Sequence, residues 1–150
     1  MSRRMGKILA FAALVLMLAG CSKPQAPVGK WEGGAETGGI LVAARVEVMP
    51  NGTVKVSAPD ITNAVGPRDE IVQMQARLAA DLVNAWPDVQ PRSFDFDGKI
   101  FRKPGGIAPQ MIWDKDTGQM TLELYIGANP ALPVMLRPVA GFHDSPWASG

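Results

Sequence analysis

The nine residues ILVAARVEV (40–48) specify a β-strand, and the neighbouring elements can be built from it. Apolar side chains occupy every second position, and the intervening positions include Arg45 and Glu47. An alternation with a period of two predicts a strand with one apolar face and one more polar face. This stretch is therefore expected to lie in a sheet.

A turn is predicted directly after this strand. Pro50-Asn51-Gly52 suits a bulged turn, because proline favours a φ of about −65° and glycine favours the left-handed position. A three-residue loop pairs Val48 with Val54 and Val46 with Val56, which keeps these valines on one face. Turn chemistry and alternation agree, so a hairpin is expected here.

One amphipathic helix is predicted over residues 68–86. Apolar residues recur there at three- and four-residue spacing, which is the period of one helix face. Asp69 and Glu70 lie in the first turn, where negative charge suits the helix dipole, and Pro87 ends the helix. We expect this helix to lie on a sheet through its apolar face, which comprises Ile71, Met74 or Gln75, Leu78, Leu82 and Trp86.

Two further hairpins and a short strand are predicted downstream. Asp97-Gly98 is expected to form a two-residue turn that places Phe94 opposite Phe101. The next hairpin spans residues 110–126, and residues 133–138 form a last strand whose prolines favour an edge position. The cross-strand pairs expected in the 110–126 hairpin are Trp113–Met120 and Met111–Leu122, and both Trp86 and Trp113 are expected in the core.

This order of elements predicts an α+β fold. We expect a curved antiparallel β-sheet of about six to eight strands, with the one amphipathic helix (about 68–86) packed on it. A small β-barrel is the alternative. Gly29-Lys30-Trp31 resembles the start of lipocalin-like barrels, but the mid-chain helix departs from that pattern and so short a motif implies no lipocalin function.

The N-terminal segment has the layout of an export signal. Arg3, Arg4 and Lys7 precede an uncharged apolar run, Ile8–Ala19. The run is shorter than the roughly 17–25 apolar residues that span a bilayer. It ends in small residues, as the apolar part of a cleaved signal peptide does. The segment is therefore predicted to direct export and to be removed.

Leu18-Ala19-Gly20-Cys21 resembles the lipobox of bacterial lipoproteins. The resemblance implies that Cys21 receives a diacylglycerol, that the chain is cleaved before it, and that the new terminus is acylated with a fatty acid such as palmitate. An aspartate at position 22 would resemble an inner-membrane retention signal, so Ser22 favours the outer membrane, with the domain facing the periplasm. The expected organisation is a signal peptide (1–20), a lipidated tether (21–30) and a single α+β domain (31–150).

Charge and cysteine content narrow the classes of function that are expected. The chain of 150 residues has 15 basic and 14 acidic residues, and loss of the signal would leave 12 basic and 14 acidic, a net charge of about −2. Nucleic-acid binding needs clustered Lys and Arg, so that class is not expected. The one cysteine, Cys21, would be consumed by lipidation, and no disulfide is expected in the mature domain.

No catalytic residue, cofactor or metal site is predicted. His143-Asp144-Ser145 has the letters of a hydrolase triad, but three consecutive side chains cannot converge as a triad requires. His143 is the sole histidine and cannot build a multi-histidine zinc site. The run Asp114–Gly118 lacks the spacing of an EF-hand calcium loop, and Asp97 is better explained by its turn than as a glycosidase partner of Asp95.

The function expected first is a non-enzymatic protein-binding module of the envelope, either an inhibitor or immunity protein or an accessory subunit of an assembly. Trp147, Phe142 and His143 are the candidate partner-binding residues, since aromatic side chains are enriched at interfaces. The alternative for Phe142 and Trp147 is that they pin the C-terminal tail onto the sheet. The alternative function is a small-molecule or lipid carrier with its ligand between helix and sheet, which requires a cavity of roughly 300 Å³ or more.

Overall fold

The computed structural model describes residues 23–127 and 129–147. Cys21 and the export signal lie outside these residues, so the lipidation site and the signal peptide stay predictions. None of the helices in the described ranges has the length and apolarity needed to traverse a bilayer.

The described residues form nine β-strands and one α-helix. The elements are β1 (Gly29–Thr37), β2 (Ile40–Val48), β3 (Val54–Ser57), β4 (Ile61–Asn63), α1 (Arg68–Ala85), β5 (Asp95–Phe96), β6 (Ile100–Arg102), β7 (Pro109–Trp113), β8 (Met120–Leu124) and β9 (Leu132–Val139). A 3-10 turn, Trp86–Asp88, follows α1 directly. Proline has no backbone N–H to donate, and Pro87 accordingly lies at the change from α-helix to the tighter turn.

The strands form one curled antiparallel sheet in the order β3-β2-β1-β9-β8-β7-β6-β5. The short β4 pairs with residues 40–42 of β2, on the same edge as β3. A backbone bridge between Val54 and Arg92 links β3 to the segment that precedes β5. Helix α1 packs against β2. The predicted α+β fold, an antiparallel sheet with one helix on it, is confirmed.

The β2–β3 and β7–β8 hairpins have the predicted registers. Val48 lies opposite Val54 and Val46 opposite Val56, and Gly52 has a φ of +87° in the turn. The β7–β8 hairpin pairs Trp113 with Met120 and Met111 with Leu122.

The predicted pairing of Phe94 with Phe101 is wrong. Phe96 lies opposite Phe101, and Asp95 lies opposite Arg102. The turn places Asp97 at its first position, because the Asp97 carboxylate accepts hydrogen bonds from the amides of Lys99 (2.9 Å) and Ile100 (2.8 Å). The two central residues are therefore Gly98 and Lys99, one position later than predicted.

The predicted edge position of the last strand is also wrong. β9 lies between β1 and β8, in the middle of the sheet. Its prolines are tolerated because the two neighbours pair with different parts of the strand. Pro133 lies in the part paired with β8, and Pro138 lies in the part paired with β1. Each proline therefore interrupts a ladder on one side only.

Alternate residues of β2 enter two separate cores. The inner core lies inside the curl of the sheet and includes Trp31, Val46, Phe101, Met111 and Leu122. The helix core lies on the opposite face, where buried side chains of the sheet and of α1 meet. It comprises Leu41, Ala43, Ile71, Leu78 and Leu82.

Candidate functional site

A groove of about 800 Å³, called here the sheet groove, opens on the sheet. It is formed by β3, residues 92–94, the loop 103–108, β7 and β8. Met111 and Leu122, both members of the inner core, form part of its wall. The other large apolar side chains that line it are Val56, Phe94, Ile107, Leu124 and Tyr125.

Two apolar residues of the sheet groove are unusually accessible. Ile107 is 90% exposed, on the loop between β6 and β7, and Tyr125 is 48% exposed. The Tyr125 hydroxyl donates a hydrogen bond to the carbonyl of Pro109 at 2.6 Å, which fixes the ring beside the groove. Apolar side chains exposed at a concave surface mark a site where a ligand or partner could cover them.

Charged side chains accompany this apolar lining. Arg92 and Lys103 are exposed, and Glu123 is half-buried. Among the described residues, none of these three side chains has a hydrogen bond or ion-pair partner. The sheet groove thus combines an apolar wall with uncompensated charges.

The centre of the interface between α1 and β2, near which a carrier's ligand was expected, is filled. Leu41, Leu78 and Leu82 are each at most 3% exposed, and Ala43 packs beside them. A cleft of about 310 Å³ does lie between β4 and α1, and most of its lining side chains are polar. The expected location of a ligand between helix and sheet stays a prediction, and the larger apolar groove lies on the other side of the sheet.

The candidate partner-binding residues Phe142 and Trp147 hold the C-terminal tail on the domain. The Trp147 indole Nε1–H donates to the carbonyl of Gln75 on α1 at 3.1 Å. Its ring lies so close to Gly34 of β1 that any side chain at position 34 would overlap it. Phe142 makes an edge-to-face contact with Trp86, at 4.9 Å between ring centroids. Trp86, expected in the core, is half-buried at this contact.

A second groove, of about 510 Å³, lies beside Trp147 and is called here the tail groove. Its floor is the small-residue side of α1, including Ala76, Ala79 and Ala80. Val72, 49% exposed, is part of its wall. One candidate partner-binding residue, Trp147, therefore lines an open surface even though it anchors the tail.

A buried charge cluster, not expected from the sequence, lies beneath the tail. Glu32 of β1 is fully buried, and the strand registers place Arg45 of β2 on one side of it and Arg137 of β9 on the other. The Arg137 Nη2 atom lies 3.4 Å from the Glu32 carboxylate. Burial lowers the pKa of Arg45. The negative charges of Glu32 and Asp144 raise the same pKa, but their effect is smaller than that of burial.

The third candidate, His143, contacts this charge cluster through both its backbone and its side chain. Its backbone amide donates to Glu32 at 2.8 Å, and its Nδ1 atom lies 3.3 Å from the same carboxylate oxygen. Its carbonyl accepts a hydrogen bond from Arg45 at 2.9 Å. The guanidinium of Arg45 also lies 4.6 Å from the centroid of the Phe142 ring. His143 thus contacts the buried charges rather than Ser145.

The remaining acidic residues singled out in the sequence belong to turns. Asp97 accepts backbone and Arg102 hydrogen bonds, which lower its pKa to about 2. The amide of Asp116 donates to Asp114 at 2.9 Å, and this bond lowers the pKa of Asp114. Within residues 23–127 and 129–147, no group of three or more His, Cys, Asp or Glu side chains is placed to hold a metal ion.

No protein-family model, curated protein sequence or solved structure matches this chain. Its function is therefore inferred from its own residues.

Proposed function

We propose that this protein is a lipid-anchored, non-enzymatic binding protein of the bacterial envelope that carries a small apolar molecule in the sheet groove. The observation that carries the proposal is the volume of about 800 Å³, which falls in the range of ligand pockets, together with its apolar wall. Ligands commonly bind at the open ends of curled or barrel-shaped sheets. Met111 and Leu122 give the groove a dry wall, and the charged side chains provide a polar rim.

The described part of the tether, residues 23–30, supports a location of the sheet groove near the membrane. Ala26 packs against the inner core, and residues 23–28 share a cleft with the β2–β3 turn and with residues 94–96. Phe94 lines both that cleft and the sheet groove. Cys21 is two residues from Lys23, and two residues span at most about 7 Å. A lipid on Cys21 would therefore hold the groove close to the bilayer surface.

The proposal is tested by ligand binding to the acylated protein in phosphatidylcholine nanodiscs. The probe is N-phenyl-1-naphthylamine, a neutral apolar dye, and its signal in empty nanodiscs is subtracted. We expect saturable binding at one site per protein. Leu124→Arg, which puts a charge into the sheet groove, is expected to abolish it, and Met135→Arg, on the exposed side of β9, is expected to leave it intact.

Both variants are first checked for native circular dichroism and thermal unfolding. If Leu124→Arg does not fold, Ile107→Asp replaces it, because the side chain at 107 is 90% exposed and tolerates a charge. Equal dye binding by the groove variant and the Met135→Arg control would refute the carrier function.

A protein-binding role, whether as an inhibitor, an immunity protein or an accessory subunit, is the second candidate. The tail groove favours it, because Val72 and Trp147 offer an apolar surface beside small residues of α1. A photo-crosslinking amino acid at position 72 is expected to capture one envelope protein in cells. The same amino acid at position 115, on the β7–β8 turn and outside the tail groove, is expected not to. Capture of the same species from both positions would argue against a specific partner.

A further inference from the structure

The sheet groove has an uneven distribution of charge. Arg92 and Lys103 are its cations, and Glu123 is the one carboxylate among its described lining residues. Neither cation is engaged in a side-chain hydrogen bond or ion pair with any described residue. Both are exposed, whereas Glu123 is half-buried. The accessible rim therefore carries more positive than negative charge.

The two cations are held by the backbone rather than by other side chains. Arg92 exchanges two backbone hydrogen bonds with Val54, each of 2.8 Å, so its position relative to β3 is fixed. Lys103 accepts a hydrogen bond from the amide of Gly106 at 2.8 Å, which tightens the loop that also carries Ile107. These backbone hydrogen bonds fix the Cα positions of Arg92 and Lys103, while the two side chains remain available to contact a ligand.

The apolar wall continues from these cations into the groove. Phe94 follows Arg92 by two residues, and Leu122 and Leu124 project from the same side of β8. Leu122 is 4% exposed and belongs to the inner core, so the deepest part of the wall excludes water. A molecule that fits this arrangement has a charged end at the rim and an apolar part against β8.

We propose that the ligand of the sheet groove is a free fatty acid, with its carboxylate at Arg92 and Lys103 and its chain along Phe94, Leu122 and Leu124. This inference rests on the proposed carrier function and specifies its ligand class. Opposite charge selects the carboxylate over neutral and cationic head groups. Chain burial sets affinity, and each additional buried CH₂ strengthens binding about fourfold.

The experiment is competition against bound N-phenyl-1-naphthylamine in the same phosphatidylcholine nanodiscs. The competitors are dodecanoate, dodecanol and dodecyltrimethylammonium, which share a chain and differ in head-group charge. We expect dodecanoate to displace the dye at a concentration at least tenfold lower than dodecanol, and decanoate, which is two CH₂ groups shorter, to require about fifteenfold more than dodecanoate. Dodecyltrimethylammonium is expected to be the weakest.

The double variant Arg92→Ala/Lys103→Ala is expected to bind dodecanoate no better than dodecanol. Its matched control, Lys99→Ala/Lys115→Ala, removes two exposed cations outside the groove and is expected to keep the preference. If dodecanol equals dodecanoate in the natural chain, or if the double variant keeps the preference, the fatty-acid proposal fails while dye binding leaves the carrier function standing. If the dye itself does not bind, the carrier function fails as well.

Discussion

Glu32 of β1 accepts a hydrogen bond from the backbone amide of His143, 111 residues later, at 2.8 Å. The same carboxylate is fully buried between Arg45 and Arg137, so one side chain faces two guanidinium groups and also holds the tail. Three strands and the C-terminal segment are thereby joined on the face that also carries α1.

Glu32→Gln is expected to lower the free energy of unfolding by about 3 kcal/mol, because it leaves two arginines facing each other without a buried counter-charge. Urea unfolding measures the change. The control is Glu36→Gln on the same strand, whose ion pair with Arg68 (2.9 Å) is exposed and contributes about 1 kcal/mol or less. Equal losses in the two variants would contradict a structural role for the buried cluster.

Gly34→Ala is expected to displace Trp147 from β1, because the added methyl group would overlap the indole ring. Overpacking of this kind costs about 1–3 kcal/mol. Chymotrypsin cleavage after Phe142 should become faster as the tail is released. Gly141→Ala is the control, since a methyl group there would meet no atom within 4 Å. Unchanged cleavage in Gly34→Ala would show that Trp147 does not hold the tail.

Asp97→Asn is expected to lower the melting temperature at pH 7 and to have a much smaller effect at pH 2. Hydrogen bonds from Ile100, Arg102 and Lys99 lower the pKa of Asp97 to about 2 in the folded chain. Its stabilising effect is therefore present above the unfolded pKa of about 4 and disappears as the pH falls through 2. The difference from the natural chain should close across that window. A melting-temperature difference as large at pH 2 as at pH 7 would contradict this role for Asp97.

Leu82→Ala is expected to destabilise the domain by about 2–5 kcal/mol, because this side chain is fully buried in the helix core and its loss leaves a cavity. Val72→Ala on the same helix is the control, and its effect should be below about 1 kcal/mol since Val72 is 49% exposed. Chemical unfolding followed by circular dichroism compares the two. Similar effects would mean that α1 does not pack on the sheet as described.

Cys21→Ser is expected to release the protein from the membrane fraction and to block incorporation of labelled palmitate. The reason is that two or more acyl chains are needed for stable anchoring, and the serine hydroxyl does not take the thioether-linked diacylglycerol. Ser22→Ala is the control and should remain acylated. Palmitate labelling of Cys21→Ser at the natural level would exclude the predicted anchor.

The features predicted from sequence are those that depend on neighbouring residues. The β2–β3 register follows from the alternation in β2 and from Gly52, and helix α1 follows from its apolar period. The predicted partner of Phe101 is wrong by two residues, because Asp97-Gly98-Lys99 allows two different two-residue turns that are offset by one position. The choice between them is made by the Asp97 side chain bonding to Lys99 and Ile100.

The features that were missed depend on strands far apart in the chain. Glu32 stands in a glycine-rich segment with no clear alternation, so nothing local indicated that it faces Arg45. The one available signal was that both residues interrupt apolar strands with opposite charge. The sheet groove was also missed, because its wall combines β3, β8 and the loop 103–108, and their proximity follows from the curl of the whole sheet.

The position of β9 has a consequence for how the domain is completed during synthesis. β9 follows every other strand in the chain, yet it lies between β1 and β8. Until it has emerged, β1 to β4 and β5 to β8 form two sub-sheets with unpaired inner edges, linked by the Val54–Arg92 bridge. The final strand therefore completes the sheet: translation that stops before Leu132 would leave two incomplete halves and no closed inner core.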